Sequence, residues 1–418
     1  MEVCLAHTDI IVLGAGIVGT SIALQLVKRG LSVALVDRGG PGEATSYGNT
    51  GIIEGNTLFP PAFPADWVEL LRVALKRSPQ ANYHVTFLPR IAPWLAAFRA
   101  ASKPERLIET ARLMRPLFAR AIAEHEALIA EAGAERYLNR RGWLKLYRSN
   151  GAFAAQAREL ELAARLGIVN VPLDGEGARA LEPALTGAFR HAVHWTGAVS
   201  VNNPLALTRA YAARFAARGG LIFTGDARTL HRASPYWRVD SAVGPLDGSE
   251  VVIALGPWAD DVLGPLGIKL PLAVKRGYHR HFRPQGNIAL GRPLLDAENG
   301  YCLAPMEQGI RLTTGVEFAA RDAPPTPVQL ERVLPAAREL FALGAPVEAE
   351  PWLGARPCFP DSRPVLSRAP RQRGLWLALG HAHWGLTLGP ATGRLIAEMM
   401  TSATPFCDPK PYAAERFN

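Results

Sequence analysis

Asp9-Ile10-Ile11-Val12-Leu13-Gly14-Ala15-Gly16-Ile17-Val18-Gly19 is the stretch whose reading decides the fold. Asp9 to Leu13 reads as a strand buried on both faces that ends at glycine. Ile17 to Arg29 carries apolar residues at helical spacing and stops at Gly30, a C-terminal helix signal. Ser32 to Val36 is a second apolar strand ending in Asp37, which completes a βαβ unit. G-x-G-x-x-G occupies its first turn, and each glycine has a task. Gly14 makes the tight turn, Gly16 lets a pyrophosphate approach the backbone, and Gly19 lets helix and strand pack closely. The helix start, at Ile17 and Val18, offers unpaired amides and a partial positive charge to phosphate. Asp37 stands where a carboxylate takes a ribose hydroxyl. Arg38 beside it suits a 2′-phosphate, so the motif implies a dinucleotide without choosing one.

Working outward, the 418 residues are 48% hydrophobic and 20% charged, enough for two or three domains with ample core. The net charge is +9 with a pI near 9.6, but no run of five basic residues occurs. The densest groups, Arg276/Arg280/Arg283 and Arg368/Arg371/Arg373, read as solvated faces with room for peripheral contact with an anionic membrane. No nucleic-acid-reading module is visible. Cys4, Cys302, Cys358 and Cys407 form no C-x-x-C pair, which argues against a zinc site and fits a reducing cytoplasm. Ile10 to Val27 is almost wholly apolar, yet acidic Glu2 and Asp9 precede it and glycines interrupt it. It reads as strand and helix, with no transmembrane segment.

Leu70 to Ala134 reads as helices, Gly142 to Tyr147 as a strand, and Asn203 to Arg218 as a helix leading into the strand Leu221 to Thr224. Glu250 to Leu255 is a short buried strand. Tyr278 to Arg283 and Tyr301 to Glu317 alternate as antiparallel strands. Leu375 to Leu379 is a last apolar strand before a Gly/His loop and the helix Leu388 to Met400. The pattern implies an α/β chain: a Rossmann-like βαβ domain built from distant segments, with an inserted α+β domain on an antiparallel sheet. The nucleotide domain takes residues 1–75, 196–270 and 348–418. The inserted substrate domain takes 76–195 and 271–347.

Gly42 to Gly51, with Thr45, Ser46, Gly48 and Asn49, is too polar and glycine-rich for core and follows directly from the ribose-binding strand. Here the sequence resembles the D-amino-acid oxidase superfamily, in which a S-x-G-N-x-G stretch lies against pyrophosphate and flavin. Ala254-Leu255-Gly256-Pro257-Trp258 resembles its A-x-G-x-W contact, and Lys275-Arg276-Gly277-Tyr278 its K/R-G-Y. Gly380-His381-Ala382-His383-Trp384-Gly385-Leu386-Thr387 resembles its C-terminal flavin loop. The resemblance covers nearly the whole chain except about Leu70 to Ala134, and is strongest to bacterial D-amino acid dehydrogenases. It implies noncovalent FAD, with Ile52, Ala227, Ala254, Gly256, Trp258 and His383 to Thr387 as further cofactor contacts. Independently of the resemblance, the helix starting near Leu388 would aim its dipole at a negatively charged reduced flavin.

Gly354-Ala355-Arg356-Pro357 resembles the family's G-x-R-P, which implies that Arg356 binds a substrate carboxylate. A guanidinium offers the planar two-pronged donor such a group needs. A structural ion pair with Asp361 is the plainer alternative. Tyr301 and Tyr278 stand where the resemblance implies hydroxyls near the substrate, against the plainer reading of strand tyrosines with wet tips. Glu317 and His279 match recurrent positions without an assigned role. His381 and His383 make a weak metal pair and suit loop geometry better, so no metal is expected. The departures are Asp37 in place of glutamate, the bulk of Trp384, and R-G-Y-H in place of K-G-Y-S.

The resemblance implies oxidative deamination of a D-amino acid, of the D-proline or hydroxyproline type among others. The Cα hydride would pass to flavin N5, giving an imine and then a 2-oxo acid, with electrons leaving to a quinone or other non-oxygen acceptor. The alternatives are a glycine- or sarcosine-type oxidase using oxygen, a subunit of a heteromeric amine dehydrogenase, and an NAD(P)-dependent reductase. The expected location is cytoplasmic, with peripheral attachment to the inner membrane left open.

Overall fold

The computed structural model describes residues 6–55, 59–64 and 66–417. The readings made on Glu2 and Cys4 lie outside them. Strand β1 (Ala6–Leu13), helix α1 (Ile17–Val27) and strand β2 (Val33–Asp37) form the expected βαβ unit. β1 lies between β2 and the strand Gly244–Ile253, parallel to both. Leu221–Thr224 adds to the far side of β2, and Leu375–Leu379 to the far side of Gly244–Ile253. Val365–Arg368 closes that edge antiparallel. Ile11 to Leu13 are fully buried, as a parallel strand covered on both faces requires.

One face of this sheet is covered by α1, by Pro204–Ala217 and by the helix Gly385–Met400. The last crosses α1 at small residues. A Cβ on Gly393 would lie 2.7 Å from the Ser21 backbone, and one on Gly389 would lie 3.1 Å from Ile17. The chain therefore spends two glycines inside a helix, against propensity, to bring the helix backbones together.

The second sheet has 11 strands, with Ala273–Pro284 running through its middle. Gly309–Thr313 pairs on one side of that strand and Trp352–Cys358 on the other, with Lys275 opposite Arg356 and Gly277 opposite Gly354. Alternation puts Lys275, Gly277 and His279 on the face towards the nucleotide domain, and Arg276 and Tyr278 on the other.

Two segments lie elsewhere than the sequence division puts them. Trp352–Cys358, assigned by sequence to 348–418, belongs to the second sheet. Pro104–Ala132, assigned to the substrate domain, packs Met114, Leu117, Phe118 and Leu128 into the core shared with α1 and the C-terminal helix. That helix begins at Gly385, three residues before the expected Leu388.

Overpacking at the α1 crossing predicts that Gly393→Ala destabilises the protein by about 1–3 kcal/mol, since backbone must move to admit the methyl. Thermal melting of the purified variant should fall by several degrees; an unchanged melting temperature would show that the helices do not meet there.

Candidate active site

A cavity of about 1320 Å³ runs from the glycine turn to the helix Trp67–Ala74. It exceeds the roughly 300–1,000 Å³ of ordinary ligand pockets, leaving room for a dinucleotide and a substrate together. At its nucleotide end Gly14 has φ +104°, and a Cβ there would lie 2.5 Å from the Ala254 carbonyl. A Cβ on Gly19 would lie 1.8 Å from the Gly14 carbonyl, so this glycine spaces helix from turn and does not line the cavity. Gly16, Ile17 and Val18 do line it. Asp37 Oδ2 accepts from the Ala15 amide at 2.6 Å while its carboxylate borders the cavity, so one side chain both ties down the turn and presents an acceptor. Arg38 stacks over Trp258 at 4.3 Å, and Ala227, Ala254 and Gly256 complete this end.

The Thr45–Ile52 loop is held from several sides. Ser46 Oγ accepts from the Ile17 amide at 2.9 Å, capping α1 from outside its own chain segment. Thr45 donates to Ala355 O at 2.9 Å, and Asn49 donates to His383 O at 3.2 Å. Gly48 sits against Trp352, and Gly51, at φ +79°, against Val201 O, each too close for a Cβ. Arg311, buried in the second sheet, donates to Tyr47 O and Asn49 O, and its Nε donates to His281 Nε2. His281 in turn carries its proton on Nδ1 towards Glu348. This Glu348–His281–Arg311 relay joins the domains through the loop and is invisible to motif reading.

The C-terminal loop contributes His383, Gly385 and Leu386 to the cavity. Trp384 and Thr387, expected as cofactor contacts, stand behind it. Trp384 packs edge-on to Phe118 in the hydrophobic core, and Thr387 donates to Ile52 O at 3.1 Å. His381 also borders the cavity, with its ring bonded to Thr392 at 2.9 Å. His125, from the helical stretch that the family resemblance did not cover, is fully buried and donates Nε2–H to Leu386 O at 2.7 Å. It fixes the start of the helix that faces the cavity.

On the substrate side the floor is the second sheet. Arg356 lies over Gly277, where a Cβ would come within 2.6 Å of the guanidinium. Its two terminal nitrogens donate to Gly315 O at 2.9 Å and Thr314 O at 3.3 Å. Arg356 has no carboxylate partner among the described residues. Asp361, the alternative partner, is taken by Arg363 and Arg416. The guanidinium is thus oriented by backbone and leaves its charge open to the cavity.

The tyrosines behave otherwise than expected. Tyr301 is buried with its hydroxyl donating to Ala336 O at 3.2 Å beside Arg148, outside the cavity. Strand alternation turns its neighbour Cys302 inward instead. Tyr278 borders the cavity through its backbone strand, but its hydroxyl bonds Glu317 at 2.8 Å, within a buried cluster centred on the Arg276–Glu317 pair. In both strands parity directs the tyrosine hydroxyl into a buried polar cluster. His279 and Trp352 occupy the floor instead, stacked at 4.7 Å. Burial, with nearby Arg311, pushes His279 down to about 2, and burial beside Arg356 pushes His383 down to about 3, so both rings are neutral near pH 7.

The chain matches the family model described as FAD dependent oxidoreductase (DAO) over residues 9–399, and it belongs to that family. It is 32% identical to a D-amino acid dehydrogenase of Paramagnetospirillum magneticum, covering 94% of each chain. It is 28% identical to a D-amino-acid oxidase of Bradyrhizobium diazoefficiens, covering 97% of this chain and 98% of that one. Among solved structures, L-proline dehydrogenase from P. horikoshii superposes with a TM-score of 0.75 at 19% identity, covering 99% and 98%. The cofactor is therefore FAD. The donor set fits it: a turn that excludes side chains, a carboxylate acceptor, Asp37, at the end of β2 bordering the cavity, and a helix N-terminus at Gly385 bordering the other end.

Asp37→Ala removes both the ribose acceptor and the brace on Ala15, and should weaken FAD binding by about 1–3 kcal/mol. Dialysis of the variant against buffer should strip flavin that the wild type retains; equal retention would place the ribose contact elsewhere.

Proposed function

We propose that this protein oxidises the amine of a D-amino acid, holding FAD noncovalently and passing its electrons to a quinone at a membrane surface. The observation that carries the reading is Arg356, a charged fork on the cavity floor oriented by backbone carbonyls and lacking an acidic partner among the described residues. It holds the substrate carboxylate in two-pronged fashion and so fixes which Cα substituent faces the cofactor. Bound FAD supplies the acceptor for the α-hydrogen and its electron pair. The unprotonated amine, having lost the α-hydrogen with its electron pair, becomes an iminium ion, which water hydrolyses to a 2-oxo acid and ammonium. His279 and His383 are neutral near pH 7, and the family resemblance implies a substrate amine that is unprotonated at reaction.

The acceptor side rests on the helix Trp67–Ala74. Leu70 and Val73 of this helix line the cavity, while Trp67, Leu71 and the following Leu75 are 71%, 49% and 55% exposed at four-residue spacing. Arg72, Lys76 and Arg77 flank the apolar stripe. That is the arrangement of a short interfacial helix on an anionic surface, and it lies over the cavity where an apolar acceptor would enter. No helix among the described residues is long and apolar enough to cross a membrane.

Anaerobic addition of a suitable D-amino acid should bleach the bound flavin while its L-enantiomer does not, and a soluble quinone should restore the colour faster than oxygen does. Arg356→Lys should lower kcat/KM on the order of 10²-fold, about 3 kcal/mol of transition-state stabilisation, with the flavin spectrum retained. Bleaching by L-amino acids alone would defeat the substrate reading, and reoxidation by oxygen at the quinone rate would turn it to an oxidase. Failure to sediment with anionic vesicles would remove the membrane contact.

A further inference from the structure

The cavity floor carries a second cation, Lys275, beside Arg356 across the antiparallel pair. It is 8% exposed, it lines the cavity, and among the described residues it has neither a hydrogen bond nor a carboxylate within ion-pair distance. A buried lysine without a partner is a costly thing to keep, because the ammonium loses water and gains nothing in return. Burial pushes its pKa down. What opposes that is a pair of rings: Nζ lies 4.0 Å from the Phe98 centroid and 4.9 Å from that of Trp94, which favour the ammonium form.

The two cations point to different walls. The Arg356 guanidinium reaches across Gly277 to Thr314 and Gly315. The Lys275 ammonium turns towards Trp94 and Phe98 on the helix Leu88–Ala101. Acidic groups on this side of the cavity do not answer the lysine. Glu69 accepts from Ser78 at 2.6 Å, and burial raises Glu54 to about 7, so that it is largely protonated only below neutral pH. His383, which feels both cations, is neutral.

From this geometry we infer that Lys275 binds a second carboxylate of the substrate, which makes the preferred substrate an acidic amino acid held at one end by Arg356 and at the other by Lys275. This rests on the function proposed above, and names the substrate class for the same site. The second carboxylate has two chemical sources, an acidic side chain or a carboxyalkyl group on the amine nitrogen. D-Glutamate against D-glutamine reads the first, and iminodiacetate against sarcosine the second.

The test uses the FAD-loaded protein and non-reacting ligands, so that it reads binding apart from turnover. Titration with glutarate and with butyrate, followed by perturbation of the flavin absorption band, should show the dicarboxylate binding at least about tenfold more tightly, the scale of one charge-assisted bond. Lys275→Met, which keeps the apolar stem against Phe98, should bring that ratio to about one, while Lys275→Arg should restore most of it. The kcat/KM preference within one of the two substrate pairs should follow the same pattern. A wild-type ratio near one, or a ratio that survives in Lys275→Met, overturns the inference. So does an altered spectrum of the ligand-free Lys275→Met flavin, which would make the lysine a cofactor contact. If no D-amino acid bleaches the flavin, the substrate reading fails while the glutarate-to-butyrate ratio still reports on Lys275.

Discussion

The arrangement of the site depends on one buried ion pair. Arg276 and Glu317 are both fully inaccessible, 2.9 Å apart, and the guanidinium also donates to the carbonyls of Ala320, Ala323 and Pro324. A slip of one residue along Ala273–Pro284 would leave both charges buried without partners, a loss of about 3–5 kcal/mol, and would turn every side chain to the wrong face. With the register so fixed, Gly277 must lie under Arg356, and Lys275 and His279 must look into the cavity. The chemistry of the front face is set by the electrostatics of the back.

This explains what was and was not legible in the sequence. The glycine turn, Asp37, the Ser46–Gly51 loop and the A-x-G-x-W segment are local signals, each readable from a dozen residues, and all of them supply residues that border the cavity. Arg356 was legible by resemblance, and the structure adds that Asp361 does not compete for it. The tyrosines were not legible, because a motif gives a position and not the face it occupies. Tyr278 adjoins Gly277, and Tyr301 adjoins Cys302, so in each case the neighbour takes the inward direction. For Tyr278 that parity is set by partners remote in sequence, such as Thr313 opposite His279 and Gly354 opposite Gly277, and for Tyr301 by a neighbouring hairpin. His125 and Arg311 lay outside every motif, and only tertiary pairing reveals them.

Charge at the two ends of the cavity follows different rules. At the nucleotide end, the cavity is bordered by a glycine turn braced by Asp37, and Arg38 is stacked over the Trp258 ring. At the floor, the open charges belong to side chains, Arg356 and Lys275, set among neutral imidazoles and buried thiols. A zone of low polarity with two fixed cations makes an incoming anion worth more than it would be in water. On the function proposed above, selectivity would lie in the sheet and cofactor retention in the glycine-rich turn and its loops. The two can change independently.

The nucleotide sheet draws its strands from Ala6–Asp37, Leu221–Ile253 and Val365–Leu379, and the helix that backs α1 ends at Met400. During synthesis the glycine turn leaves the ribosome first, yet the strands and helix that hold it arrive hundreds of residues later. The first half of the chain must wait with apolar strand edges unpaired, a long-range topology that folds slowly and invites aggregation meanwhile. The walls of the cavity are thus contributed by segments far apart in the chain, and a chain lacking the helix Gly385–Met400 would lack the wall that Gly385 and Leu386 supply.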